Sequence, residues 1–222
     1  MQRSRPDGSR RSQSELECHV TRSLSISEDL LACKKCRRLV HQFGRLRLSH
    51  PDYWNKPVPA SGPDRANLLI VGLAPGMHGA NKTGKPFVGD ASGDLLKSVL
   101  QAEDLTRKVR VTNAVKCLPV KNLPSAGEIN NCSRFLRLEL KDHGQAQSAV
   151  VLALGGVAHR AIISCLGLRQ VDHPFAHGAI HHLDAFTLVD SYHCSRYNTQ
   201  TGRLTRSMFL DVVKTAGNIA NP

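Results

Sequence analysis

The sequence predicts an α/β fold, a parallel sheet with helices on both faces. Four short apolar runs, at 67–73, 109–114, 149–154 and 186–191, have the length of buried strands. Stretches with helical periodicity separate them, and strands that alternate with helices pair in parallel. The first run, Asn67-Leu-Leu-Ile-Val71, leads straight into a loop holding Gly72, Gly76, Gly79, Gly84, Gly89 and Gly93. A buried strand that ends in glycines is where an α/β protein lets its backbone approach a ligand.

The elements follow in order. Residues 1–23 are polar, charged and without period, which reads as a disordered basic tail, leaving 24–222 as a single domain. A helix is expected to start near Ser27 and to carry Leu30, Leu31 and Leu39 through a basic segment. Between His50 and Pro63, Pro51, Pro57, Pro59 and Pro63 enforce an extended connection around Trp54. After the first strand and its glycine loop come helix 92–103, strand 109–114, helix 125–143, strand 149–154 and helix 156–165. Strand 186–191, a polar loop and helix 205–216 complete the chain. Ligands of such sheets sit beyond the carboxyl ends of the strands. Those ends carry Gly72–Gly76, Asn113, Gly155–Gly156 and Ser191–His193.

Thirty Lys and Arg against 18 Asp and Glu give +12, and the pI is about 9.7. That surplus favours a polyanionic partner, nucleic acid first. Aromatic residues are only 5% of the chain, which argues against binding a single strand by many stacked bases. No apolar run approaches the roughly 18 residues that span a bilayer, so no membrane partner is expected and the protein is placed in the cytoplasm. Of the seven cysteines, Cys33 and Cys36 form a CxxC unit, and Cys117 and Cys132 a second pair. Four thiolates so spaced suit an iron–sulfur cluster or zinc, and unrelated thiols are the third reading. Cys18, Cys165 and Cys194 are left over.

Gly79-Ala-Asn-Lys-Thr-Gly84-Lys85 is close to a phosphate loop, but Pro86 stands where the magnesium-binding hydroxyl is needed. Nucleotide hydrolysis is therefore disfavoured. Asp90, ahead of a helix, reads either as an N-cap or as a carboxylate at a pocket mouth. Phe87 lies among glycine and proline as core or as a stacking platform. Asn113 ends a strand, and its paired donor and acceptor suit a base edge as well as a turn. His193, just past another strand end, can hold an imidazole over the same pocket.

Three stretches together resemble the type-5 uracil-DNA glycosylases, an iron–sulfur group of the uracil-DNA glycosylase superfamily. They are Gly72-Leu-Ala-Pro-Gly-Met-His-Gly through Pro86-Phe-Val-Gly-Asp90, the run from His193 to Thr205, and the four cysteines. The likeness covers about 27–215. Type-4 relatives carry glutamate where this chain has Leu73. Better-known uracil glycosylases place a water-activating aspartate where it has Ala74, and the type-5 family uses Asp90 in its stead.

The resemblance implies a three-layer α/β/α sandwich around a four-stranded parallel sheet. It also implies one structural [4Fe–4S] cluster on Cys33, Cys36, Cys117 and Cys132, with no catalytic metal. The implied activity is monofunctional removal of uracil, and of other deaminated bases such as hypoxanthine, from duplex and single-stranded DNA by a monomer. Asp90, His193 and Asn113 would be catalytic, and Gly72, Leu73, Ala74, Pro75, Gly76 and Phe87 would join Asn113 and His193 around the base. A non-catalytic iron–sulfur DNA-binding module of the same fold is the competing reading.

Overall fold

The computed structural model describes residues 26–221. The disordered-tail reading of 1–23, and Cys18 with it, lies outside the described residues. Two helices come first, α1 (26–31) and α2 (Arg37–Ser49). Then follow β1 (Leu68–Gly72), α3 (Ala80–Thr83), α4 (Ala91–Ala102), β2 (Val109–Asn113), α5 (Ala126–His143), β3 (Val150–Leu154) and α6 (Gly156–Cys165). The chain closes with β4 (Ile180–His182), β5 (Thr187–Ser191), α7 (Arg196–Gln200) and α8 (Arg206–Ala220).

The strands lie in the order β2-β1-β3-β5-β4. The first four are parallel, as expected, while β4 adds an antiparallel edge strand outside the expected four. Its three residues leave Ile180 and His182 exposed, so no apolar run marks it in the sequence. β1 and β3 are buried along their whole length, which is why both read as unbroken apolar runs. One face is covered by α4 and α8, where Leu96 and Val99 join Phe209, Val212 and Val213 against the sheet. α5 and α6 cover the other through Leu136, Leu140, Ala158 and Ile162. Three layers result.

The basic N-terminal segment differs from the single helix expected of it. It breaks at 32–36, across Cys33 and Cys36, into α1 and α2. Leu30 packs with Val115, Cys132 and Phe135 against α5, and Leu39 is buried, whereas Leu31 faces solvent. α5 starts with a capping box, Ser125 Oγ accepting from Glu128 N–H and the Glu128 carboxylate accepting from Ser125 N–H. Such a cap stabilises a helix by about 1 kcal/mol. Glu128 also takes two hydrogen bonds from Arg38, at 2.9 and 2.7 Å, so one carboxylate ties α2 to α5.

Register sets up the functional end. Gly72 pairs with Asn113, and Leu154 with Ser191, so the ends of β2, β1, β3 and β5 lie level. The strand order reverses direction between β1 and β3, and a crevice opens beyond the sheet at such a switch point.

Candidate active site

A cavity of about 510 Å³ fills that crevice. Leu73, Ala74, Pro75 and Gly76 line it from the loop after β1, with Phe87 and Asp90 from the end of the same loop. Asn113 enters from the end of β2 and His193 from just beyond β5. Residues 120 positions apart in the chain, Leu73 and His193, thus face one space because four strand ends are level. Gly72 lies one layer below. A Cβ there would stand 2.5 Å from Asn113 Oδ1 and 2.6 Å from the Phe87 ring, so only glycine lets both side chains settle on the strand end. Six further residues, Met77, His78, Ala80, Ser92, Asn122 and Ser195, line the cavity beyond the site residues the sequence singles out. All but Asn122 lie within the glycine loop or the His193–Thr205 run.

Asp90 turns out to serve both readings. Its Oδ1 accepts from Gly93 N–H at 2.9 Å, which caps α4. Its Oδ2 points the other way, against Gly76 and Gly79, where a Cβ on Gly79 would collide with it. One oxygen is spent on the helix and the second faces the cavity. Ala74 offers no carboxylate beside it.

Phe87 has φ 54°, a left-handed backbone that costs a non-glycine residue about 1 kcal/mol or more. Gly93 permits this, since a Cβ there would strike the Phe87 carbonyl. The result is a ring held over Gly72, its centroid 5.9 Å from that of His193. The aromatic face borders the cavity instead of joining the core fully.

Asn113 is 3% exposed, yet its Oδ1 has no hydrogen-bond partner among the described residues. A buried carbonyl left without a donor costs about 1–3 kcal/mol, and this one is packed against Gly72 where Asn113 meets the cavity. Across from it, burial holds the His193 imidazole below its usual pKa, and the negative charge of Asp90 only partly opposes this. The ring is therefore neutral at pH 7 and presents one N–H. Gly155, at φ 97°, sits so close below the ring that a Cβ on it would stand 3.2 Å from His193 Cβ, and Asn198 Nδ2 donates to the His193 carbonyl at 2.7 Å. Both contacts fix the ring's origin.

On the flank of α5, Cys33, Cys36, Cys117 and Cys132 face a second pocket of about 20 Å³, walled by Leu30, Leu39 and Phe43. None of the four is in a disulfide. Burial, then the mutual repulsion of the thiolates, pushes Cys117 far above the ordinary thiol range, and burial lifts Cys132 to about 11 despite Lys116 nearby. Lys116 N–H donates to Cys132 Sγ at 3.2 Å and Asn131 Nδ2 to Cys36 Sγ at 3.6 Å. Among the described residues no three of these sulfurs lie within 4.8 Å of one another. A tetrahedral zinc with bonds of about 2.3 Å needs sulfurs roughly 3.8 Å apart. The four sulfurs as placed do not come to that spacing.

Of the basic segment, Lys34, Lys35 and Arg37 are set at or near the surface, while Arg38 is held by Glu128. The phosphate-loop-like stretch forms the short helix α3, closed by left-handed Gly84 against Trp54.

Residues 59–216 match the family model of the Uracil DNA glycosylase superfamily. The chain is similar to the type-5 uracil-DNA glycosylase of Thermus thermophilus, 42% identical over 87% of this chain and 96% of that one. Its identity to the type-5 enzyme of Pyrobaculum aerophilum is 37%, over 84% and 88% of the two chains. A type-4 uracil-DNA glycosylase of Sulfurisphaera tokodaii is 32% identical over 64% of this chain and 58% of that one.

Proposed function

The chain belongs to the uracil DNA glycosylase superfamily, and we propose that it flips uracil out of DNA and hydrolyses the bond between base and sugar. A base within a duplex is out of reach of any side chain, so it must leave the stack. The cavity of about 510 Å³ has room for it, and the +12 charge draws the phosphate backbone to the surface.

The observation that carries the reading is the buried carboxamide of Asn113 above Gly72, whose oxygen has no partner among the described residues. Uracil presents an N3–H beside a carbonyl, which supplies a donor to Oδ1 and an acceptor to Nδ2. Cytosine has a bare N3 at that edge and leaves two acceptors opposed. Phe87 stacks on the ring and places it.

Cleavage breaks the C1′–N1 bond, the electron pair leaving on uracil while the sugar becomes cationic. Stabilising charge that exists only in the transition state is what accelerates such a step. His193, neutral, donates its N–H to a uracil oxygen and holds the anion without giving up the proton. The free Oδ2 of Asp90 stabilises the sugar cation and orients the water that attacks C1′, then takes up the proton that the water loses. The product is an abasic site. We extend the reading to other deaminated bases such as hypoxanthine, because apolar Leu73 and Ala74 line the cavity without polar groups that would reject them. We further propose that the enzyme works as a monomer in the cytoplasm and accepts single-stranded as well as duplex DNA. Among the described residues no helix is long and apolar enough to cross a membrane.

We also propose that Cys33, Cys36, Cys117 and Cys132 hold one [4Fe–4S] cluster. The spread of the sulfurs, the N–H···S bonds from Lys116 and Asn131 and the apolar wall support it. Such a cluster supplies cross-linking and positive charge to the thiolates, joining α1 and α2 to α5, and takes no part in the bond cleavage. Purified protein would carry about four irons per chain and a broad visible charge-transfer absorbance.

The function is tested by single-turnover release of uracil from an oligonucleotide. Asn113→Ala should slow release by about 10²-fold or more, as for the loss of one oriented hydrogen-bonding group in a closed site. Release at the parent rate would remove the base-reading role.

A further inference from the structure

Behind His193, on the far side of β5, three side chains from three elements converge. His159 of α6 and Asp190 of β5 are fully buried, and His181 of β4 reaches them from the sheet edge with 12% of its side chain exposed. Their ligand atoms, His159 Nδ1, His181 Nε2 and a carboxylate oxygen of Asp190, all lie within 4.8 Å of one another.

The hydrogen-bond geometry constrains what sits between them. His159 Nε2 is 2.8 Å from the His173 carbonyl. A carbonyl only accepts, so Nε2 carries the hydrogen, and Nδ1 of the neutral ring is a lone pair. That lone pair faces Asp190 Oδ1 at 2.8 Å. Two acceptors at this distance repel unless a cation lies between them. A single proton would reconcile His159 with Asp190, and so would a divalent cation shared with His181 Nε2, which faces the second oxygen of Asp190 at 3.1 Å.

We propose that His159, Asp190 and His181 form a site for a zinc-class divalent cation, separate from the four cysteines and from the base pocket. Two imidazoles and a carboxylate are donors that zinc favours. Around a tetrahedral ion donors stand about 3.3 Å apart, against 2.8 and 3.1 Å from the two imidazoles to Asp190 and at most 4.8 Å between any two ligand atoms here. The His159 Nε2–H bond to a backbone carbonyl is the outer contact that orients a metal-binding histidine. The partly exposed edge of His181 gives the ion a way in, and the fourth position falls to water or to the His173 ring, whose centroid is 5.7 Å from that of His181.

The ion would act as a structural clamp. It joins α6 to β5 and pins β4 with the strap that leads into it, and that strap carries His177. His177 stacks on Tyr192 at 4.9 Å and accepts the Tyr192 N–H at 3.1 Å, one residue before His193. The three residues are thus positioning residues for His193 and touch no substrate.

Cobalt(II) binding to the full-length chain tests this, because cobalt on thiolates gives intense charge-transfer bands that histidine and carboxylate ligands do not. The expected result is one equivalent of cobalt with weak visible bands and no thiolate charge transfer, abolished in His181→Gln. Zinc at a hundredfold excess over its Kd should raise Tm by roughly 5–10 °C in the parent and leave His181→Gln unmoved. Glutamine keeps a hydrogen-bond donor toward Asp190 at a part-exposed edge, so the variant folds. Cobalt bound only with thiolate bands, or identical melting of parent and variant with and without zinc, would overturn the proposal and leave a proton-held His159–Asp190 pair.

Discussion

The base pocket and the cysteine pocket are both built from residues far apart in sequence, yet they are opposite in construction. The first is roomy, about 510 Å³, bordered by loops, and leaves the buried Asn113 Oδ1 without a partner among the described residues, while Asp90 Oδ2 faces Gly76 and Gly79. The second has about 20 Å³ of free space, apolar walls, and sulfurs that already accept N–H groups. Unmet hydrogen-bonding capacity costs stability and is useful only if a ligand comes and goes. Matched capacity with closed walls stabilises and has no use for traffic. The difference separates a site for turnover from a site for cohesion, and it makes the two regions respond differently to mutation.

The largest effect is expected at Asp90, where a helix cap and a pocket carboxylate are one residue. Asp90→Ser keeps a capping oxygen and removes the charge, so single-turnover uracil release should fall by roughly 10²–10⁴ while Tm and DNA affinity hold. Asp90→Ala should lose a similar rate and, in addition, about 1 kcal/mol of stability. A serine variant with the parent rate would make Asp90 a cap only.

In the cysteine pocket the pattern should invert. Cys132→Ser is expected to lower unfolding free energy by on the order of 4 kcal/mol, the scale of a lost metal site, with loss of visible absorbance. The rate of the fraction that remains folded should change little. Thermal melts read alongside active-site-normalised rates separate these outcomes, and a slow but fully stable variant would contradict the division.

Acidity gives a finer test. Burial lowers the pKa of His193 and, more deeply in the fold, of His143, whose Nε2 lies 2.8 Å from the Val150 carbonyl. The folded state therefore prefers both rings neutral, whereas the unfolded chain takes up protons near pH 6.5. Stability from this source is complete above about 6.5 and drains away as pH falls below it. If His193 acts as a neutral donor, cleavage should be level from about pH 8 down to 6.5 and decline only in more acid solution. A rate that rises steadily as pH drops from 8 to 6 would mean an imidazolium acid.

The smallest expected effect is at Gly44, exposed inside α2, where a methyl group in place of the glycine hydrogen would meet nothing within 4 Å. Gly44→Ala should stabilise by about 0.5–1 kcal/mol. Seeing that gain in the global melt would show that α2 unfolds together with the sheet. Its absence would show an N-terminal segment that lets go first.

Much of this is legible from residues alone, for physical reasons. β1 and β3 are buried on both faces, so their apolar runs leave no ambiguity, and the rule that ligands lie beyond strand ends brings Asn113 and His193 beside the glycine loop. The CxxC unit announces Cys33 and Cys36. Asn122 stays hidden because it lines the cavity through a turn in which it and Lys121 are both left-handed, at φ 57° and 55°, and no pattern marks such a pair. The edge strand β4 is hidden by its exposure. His159, His181 and Asp190 share no motif, since they meet only once α6, β4 and β5 are packed.

Asp90 has one oxygen in the α4 cap and the other in the cavity. A carboxylate that caps a helix cannot swing independently of that helix, so the aim of Oδ2 at the sugar is set by where α4 lies. α4 in turn is seated by Leu96 and Val99 against Phe209, Val212 and Val213 of α8. The accuracy of the chemistry is inherited from a seam of oily side chains remote from any DNA. Packing along that seam therefore bears on catalysis as well as on folding.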